Sequence, residues 1–204
     1  MRNSGSRTAG AVLGMALACV LGAAGAAGAQ QQPSAPSAAG VTAAAGTASV
    51  QAPAAVVEEV RAATARQRAL APNARVVCYA AHVQDVGWQS TVCDGAVAGT
   101  TGQSRRMEAA VIATGGVGGI CANAHLADVG WQGWRCAADG AAVTVGTTGQ
   151  SRRMEALGLQ VGSGSVAAQA HVQDHAWLNA AAGNPVYVGT TGQSRRMEAL
   201  RIWV

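Results

Sequence analysis

Lysine is absent from this 204-residue sequence, and so is phenylalanine. All 14 basic residues are therefore arginine, against 10 carboxylates. With Ala and Gly abundant, that bias reads as high-GC coding rather than as a physical function. Charge of one sign is also scarce where it would matter, because residues 73–204 hold nine arginines and eight carboxylates. A nucleic-acid footprint is larger and one-sided, so a nucleic-acid partner is excluded. Long apolar runs are missing after residue 29, which excludes membrane insertion of the remainder. The five cysteines lack the clustered four-ligand spacing of a zinc site. No G-x-S-x-G elbow exists either; Ser104, Ser151 and Ser194 follow Thr-Thr-Gly-Gln and read as turn residues.

Residues 1–29 read as a secretory signal peptide. Arg2 and Arg7 give the positive start, Ala9 to Gly25 the apolar core, and Ala27-Gly28-Ala29 the small-residue cleavage site. Cys19 follows Leu17-Ala18, but Ala16 stands where a lipobox usually has Leu, so lipidation is the weaker reading. Residues 30–72 read as a linker, disordered where Pro, Ser, Thr, Gln and Ala dominate. Within it, 55–70 reads as a short helix, with Glu58 and Glu59 toward its start, Arg66 and Arg68 toward its end, and Pro72 beyond.

From Asn73 onward the chain repeats itself three times, at about 73–116, 117–163 and 164–204. The undecapeptide Gly-Thr-Thr-Gly-Gln-Ser-Arg-Arg-Met-Glu-Ala stands unchanged at 99–109, 146–156 and 189–199. Cys78 and Cys93 in the first repeat have the same separation as Cys121 and Cys136 in the second. The third repeat has Ala167 and Ala182 there, losing both members together. A pair kept or lost as a unit marks a within-repeat disulfide, in the oxidising compartment that a signal peptide implies. If Cys78 faces Cys93 across a hairpin, Ala80 faces Thr91 and His82 faces Gln89. Asp94-Gly95 is then a two-residue hairpin turn into 96–99. A last strand runs over 105–113, its alternate positions starting at Glu108, Ala110 and Ile112. The expectation is an all-β, pseudo-threefold, β-prism-like domain of three repeats with about four strands each; a β-trefoil is the alternative.

The motifs His82-Val83-Gln84, Gly87-Trp88, Asp94-Gly95, Gly99 to Gly102 and Arg106-Met107-Glu108-Ala109 together resemble the clostridial hydrophobic W (ChW) repeat family. The second copy matches through His125, Gly130-Trp131 and Arg153 to Ala156. The third departs at His175-Ala176, which loses the glycine before Trp177, and at Asn184-Pro185, where Asp-Gly is usual. The resemblance spans about 73–204 and implies an extracellular bacterial module for surface interaction, binding proteins or polysaccharides, with no catalytic site to carry over.

The repeated polar residues read as structural. Glu108, Glu155 and Glu198 lie in phase with core positions, and a buried carboxylate needs partners such as Arg106, Arg153 and Arg196. His82, His125 and His171 fall on the strand face of the cysteines, so they read as hydrogen-bonded rather than as metal ligands, and no metal or cofactor is expected. Trp88, Trp131 and Trp177 read as core filling, with sugar-stacking platforms as the alternative. Glycosidase chemistry needs two carboxylates in one cleft ~5–10 Å apart, which one glutamate per repeat does not suggest. The Gly-Gly-Val-Gly-Gly stretch at 115–119 and Val-Gly-Ser-Gly-Ser at 161–165 read as linkers. Aromatics outside the repeat pattern, Tyr79, Trp134, Tyr187 and Trp203, are the ligand-binding candidates, because the shared fold does not require them.

The sequence thus points to a secreted or cell-surface, non-catalytic binding or adhesion module whose partner is a cell-wall or extracellular polysaccharide or a surface protein. A small extracellular enzyme or enzyme inhibitor, and a self-associating structural surface protein, are the other readings.

Overall fold

Each repeat folds into two long antiparallel strands and three short ones. The structure, a computed structural model, describes residues 51–204; the signal-peptide reading at 1–29 and the linker at 30–50 lie outside the described residues. The first repeat contains β1 (Val76–Val83), β2 (Gly87–Trp88), β3 (Val92–Cys93), β4 (Ala98–Gly99) and β5 (Met107–Gly115). The second contains β6 (Ile120–Leu126), β7 (Gly130–Trp131), β8 (Arg135–Ala137), β9 (Ala142–Gly146) and β10 (Met154–Val161). The third contains β11 (Val166–Val172), β12 (Ala176–Trp177), β13 (Ala181–Gly183), β14 (Val186–Gly189) and β15 (Met197–Trp203). Five strands replace the expected four because the second one breaks in two. Cys78 faces Cys93 as expected, but His82 faces Trp88 rather than Gln89, so the register slips by one between β3 and β2. The last strand starts at Met107 rather than at Arg105.

The strands form three antiparallel sheets and no closed barrel, which is the prism-like architecture rather than the trefoil. Period-two alternation explains the layering. On β1, Val77, Tyr79, Ala81 and Val83 face a common interior shared by all three sheets, while Val76, Cys78 and Ala80 face outward. Leu157, Leu159, Leu200, Ile202 and Ile112 fill the interior from the other long strands, all fully buried. Each such side chain contributes ~1.5–3 kcal/mol of burial free energy. Met107, Met154 and Met197, each 0 % exposed, occupy equivalent inner places, where an unbranched side chain adapts to a threefold axis.

The sheets are not each the property of one repeat. β9 pairs with β5, β14 with β10, and β4 with β15, so every repeat lends its fourth strand to its neighbour and the first closes the ring on the third. Asp94-Gly95 is therefore not a hairpin turn. Both residues have positive φ and Ala96 N–H bonds Cys93 O, as in a two-residue turn, but the chain leaves for the third sheet. Asp139 has a related task that the sequence did not reveal. Its carboxylate accepts backbone N–H bonds from Gly116, Val117, Gly118 and Gly119 and a bond from the Thr114 hydroxyl, folding the glycine linker at 115–119 around one side chain. Burial pushes that carboxyl up, but the Gly118 and Gly119 amides, with Thr114 and Val117, outweigh it and hold the carboxyl below the usual range.

Helix α1 (Ala54–Leu70) lies on the outer face of the first sheet. Val60 and Ala63 pack against Val76, Cys78, Ala80, Val111 and Ala113. Thr64 returns its hydroxyl to Val60 O at 2.9 Å, satisfying a buried donor. The Arg61 guanidinium donates to Gly140 O at 3.1 Å and Arg68 caps Ala74 O, fastening the helix at two places.

Candidate functional site

Two kinds of place recur in the molecule: the junctions where repeats exchange strands, and the outward faces of the sheets.

The junctions are built from the undecapeptide. A β-bulge makes both Met107 and Glu108 oppose the stretch between Val83 and His82, since His82 pairs with Ala109 and Val83 with Met107. Met107 consequently turns inward, and Glu108 emerges on the side of His82. The expected in-phase placement of Glu108, Glu155 and Glu198 toward the interior is corrected by this one-residue slip, repeated in all three sheets. Each glutamate is buried nonetheless, at 4–5 % exposure. Arg106 Nε and Nη2 reach Glu108 Oε1 at 2.9 and 2.8 Å. Arg153 and Arg196 repeat the pairing with Glu155 and Glu198. His82 Nδ1 sits 3.2 Å from the other carboxylate oxygen, though poorly aligned for a hydrogen bond. The same holds at His125 and His171. These are structural clusters, one per repeat, and no two glutamates share partners.

The glycine half of the undecapeptide comes from the next repeat. Thr147 N–H bonds Glu108 O at 2.9 Å, Thr190 bonds Glu155 O at 2.8 Å, and Thr100 bonds Glu198 O at 2.8 Å. Gly146 (φ +94°) lies so close that an added Cβ would stand 2.3 Å from Glu108 O; Gly99 and Gly189 stand likewise over Glu198 and Glu155. Gln89 and Gln132 complete the clamp, each side-chain amide bonding both N–H and C=O of Gly99 or Gly146. Each copy of the undecapeptide thus meets two other copies, one through each half.

The repeated tryptophans do not fill the shared interior, although Trp88 packs against the cluster beneath α1. Trp88, Trp131 and Trp177 are half-buried on outward faces, each edge-on to its histidine at ring distances of 5.3–5.4 Å. What surrounds them differs. On the first sheet the central rung is Ala80–Val111–Thr144, beneath α1. On the third it is Gln169–Arg201, and the Arg201 guanidinium lies 4.5 Å over the Trp177 ring. On the second it is Asn123–Gly158–Tyr187, with Trp134 alongside. The Trp134–Tyr187 and Trp131–Tyr187 ring distances are 6.0 and 5.5 Å, edge to face. Burial pushes the Tyr187 phenol up.

Of the four ligand-binding candidates, the structure brings Trp134 and Tyr187 together and separates the others. Tyr79 is corrected: it is 1 % exposed, donates to Ala96 O and accepts from Ile202 N–H at 2.9 Å, so it ties the first repeat to the last strand and no ligand reaches it. Burial first, with Asp94 adding to it, pushes its phenol up to about 12 against the Ile202 N–H. Trp203 is also used in closure, its indole seated on Gly95. Asn123 and Gly158 were missed. Their signal was present in the repeat alignment, since they replace Ala80 and Val111. Both disulfides form, Cys78–Cys93 and Cys121–Cys136, and Ala167 faces Ala182 at the third place. Among the described residues, no cluster of His, Cys, Asp or Glu could hold a metal.

A family model of the clostridial hydrophobic W repeat matches residues 82–113, 125–161 and 171–204, just over half of the chain. No curated protein and no solved structure matches it.

Proposed function

The chain belongs to the clostridial hydrophobic W repeat family, and from that premise we propose that it is a secreted, non-catalytic binding or adhesion module that holds polysaccharide or protein at a cell surface. ChW repeats occur in extracellular and surface proteins and are not an enzyme family. Two disulfides suit an oxidising, extracellular setting. No helix among the described residues is long and apolar enough to cross a membrane.

The observation that carries the reading is the division of labour between junctions and faces. Each repeated glutamate is engaged by its own arginine and histidine, whereas the outward faces carry different chemistry on one scaffold. An antiparallel frame stapled by two disulfides suits recognition more than turnover. The test is retention of the full chain on intact cells, on isolated cell walls and on a glycan array. Binding to one of them is expected; retention on none would sink the proposal.

A further inference from the structure

We propose that the outer face of the second sheet is a carbohydrate-binding site, in which a neutral pyranose ring stacks on Trp134 and Tyr187 above Gly158. The inference rests on the binding-module reading and names both the face and the ligand class.

The fold itself does not ask for these rings. Thr91 and Thr144 occupy the corresponding positions around the first sheet, and Val97 stands where Tyr187 would be against the third. At the second sheet two large rings are introduced together with the removal of the side chain beneath them. A Cβ on Gly158 would stand 2.8 Å from the Tyr187 ring and 3.2 Å from Trp134. The glycine is thus the floor over which both rings converge. Trp134 is also held from both sides. The preceding Gly133 N–H bonds Asn123 Oδ1 at 3.0 Å, and Cys136 is bridged to Cys121 two residues later. Rigid aromatic rings lose little entropy when a ligand settles on them.

Polar chemistry at the same face points to hydroxyl groups. Asn123 is 0 % exposed and its Nδ2 has no partner; Trp134 Nε1 and Gln160 Oε1 also have none. Two donors and one acceptor buried without partners leave their desolvation cost unanswered. A hydroxyl both donates and accepts, so sugar hydroxyls can partner an amide or indole N–H as well as an amide oxygen. A pyranose combines such hydroxyls at its rim with an apolar C–H face that stacks on an aromatic ring. Asn123, Gln160, Trp131, Trp134 and Tyr187 include no charged side chain, which suits a neutral sugar. A helix like α1 is a poor occupant. It packs on Ala80, Val111 and Ala113, and the second sheet has Asn123, Gly158 and Gln160 there, with the two rings filling the space a helix needs.

The test uses the full chain and three insoluble probes: protein-free peptidoglycan sacculi, chitin and cellulose, with protein-bearing cells in parallel. The variants Trp134→Thr and Tyr187→Thr take residues that the first sheet tolerates, and Gly158→Val lifts both rings by filling the floor as Val111 does. Retention on at least one polysaccharide is expected, with a loss of tenfold or more in each variant whose near-UV circular dichroism shows the fold intact. Quenching of tryptophan fluorescence by soluble fragments of the retained polysaccharide, in the unmodified chain, is expected as a readout independent of variant folding. Polysaccharide binding unchanged in all three variants would overturn this site and leave the module reading standing. Retention only on protein-bearing cells, abolished by protease, would overturn the carbohydrate assignment alone. No retention on any probe would overturn both.

Discussion

The junctions and the outer faces of this prism obey opposite rules. At the junctions, the same Gly-Thr half meets the same Glu-Ala half three times, 2.8–2.9 Å apart at the backbone, and only the side-chain clamp varies, Gln89 and Gln132 giving way to Leu178 in the third repeat. On the faces, equivalent rungs carry Ala80–Val111–Thr144 under a helix, Asn123–Gly158–Tyr187 under rings, and Gln169–Arg201 under a cation–π contact. The reason is geometric. A junction residue touches a copy of the same motif, so a change in one copy demands a matching change in another. A face residue touches only what lies outside the ring, so it is free to differ.

That contrast is breakable, and most forcefully at a junction. Gly146→Ala puts a methyl group 2.3 Å from Glu108 O at a left-handed φ. It should cost ~3–5 kcal/mol, combining the left-handed penalty with overpacking. Denaturant unfolding should give similar losses for Gly99→Ala and Gly189→Ala; a several-fold inequality would deny that the three junctions are equivalent. Removing one face-side staple comes next. Cys78→Ala with Cys93→Ala reproduces the third repeat's solution and should cost ~3 kcal/mol, the loop-closure value for 15 residues, with the family of contacts otherwise intact.

The ring-closing contact supplies a pH test. Tyr79 has its phenol pushed up to about 12, so the folded state keeps the proton that the unfolded chain releases near pH 10. Stability from this group is complete below pH 10 and is lost as pH rises toward 12, by ~2–3 kcal/mol. Tyr79→Phe should flatten that alkaline loss, read by thermal melting between pH 9 and 12. On the covered face, Val60→Ala empties a fully buried place between α1 and the first sheet and should cost ~1–3 kcal/mol. No change in melting temperature would mean that the helix is not held there in solution.

The smallest expected effect belongs to the third repeat's departure from pattern. Ala176 has φ +55° where Gly87 and Gly130 stand in the other repeats at +87° and +81°. Ala176→Gly relieves a left-handed alanine but frees the unfolded chain, so it should stabilise by at most ~1 kcal/mol.

Much of the domain was legible because local rules sufficed. The paired presence and paired loss of cysteines at one spacing identified both bridges, and two-residue alternation identified the inner faces of β5, β10 and β15 beyond their glutamates. The glutamate direction was not legible. A bulge shifts the phase by one residue without altering the composition of the strand, so Glu108, Glu155 and Glu198 looked inward and turn outward. The role of Tyr79 was hidden for a similar reason: its partner Ile202 lies 123 residues away.

The amino-acid sequence by itself determined that there are three repeats, that they are strands, where the disulfides form and which segments are copied without change. Those features depend on spacing and on side chains within one repeat. Only the tertiary structure decided that β4, β9 and β14 pair with the neighbouring sheet, that the undecapeptide closes on itself around a ring, and that one outward face is covered while another presents Trp134 and Tyr187. A short strand carries no record of which edge it joins. That choice is made by the free energy of the whole ring, in which all the edges are satisfied at once.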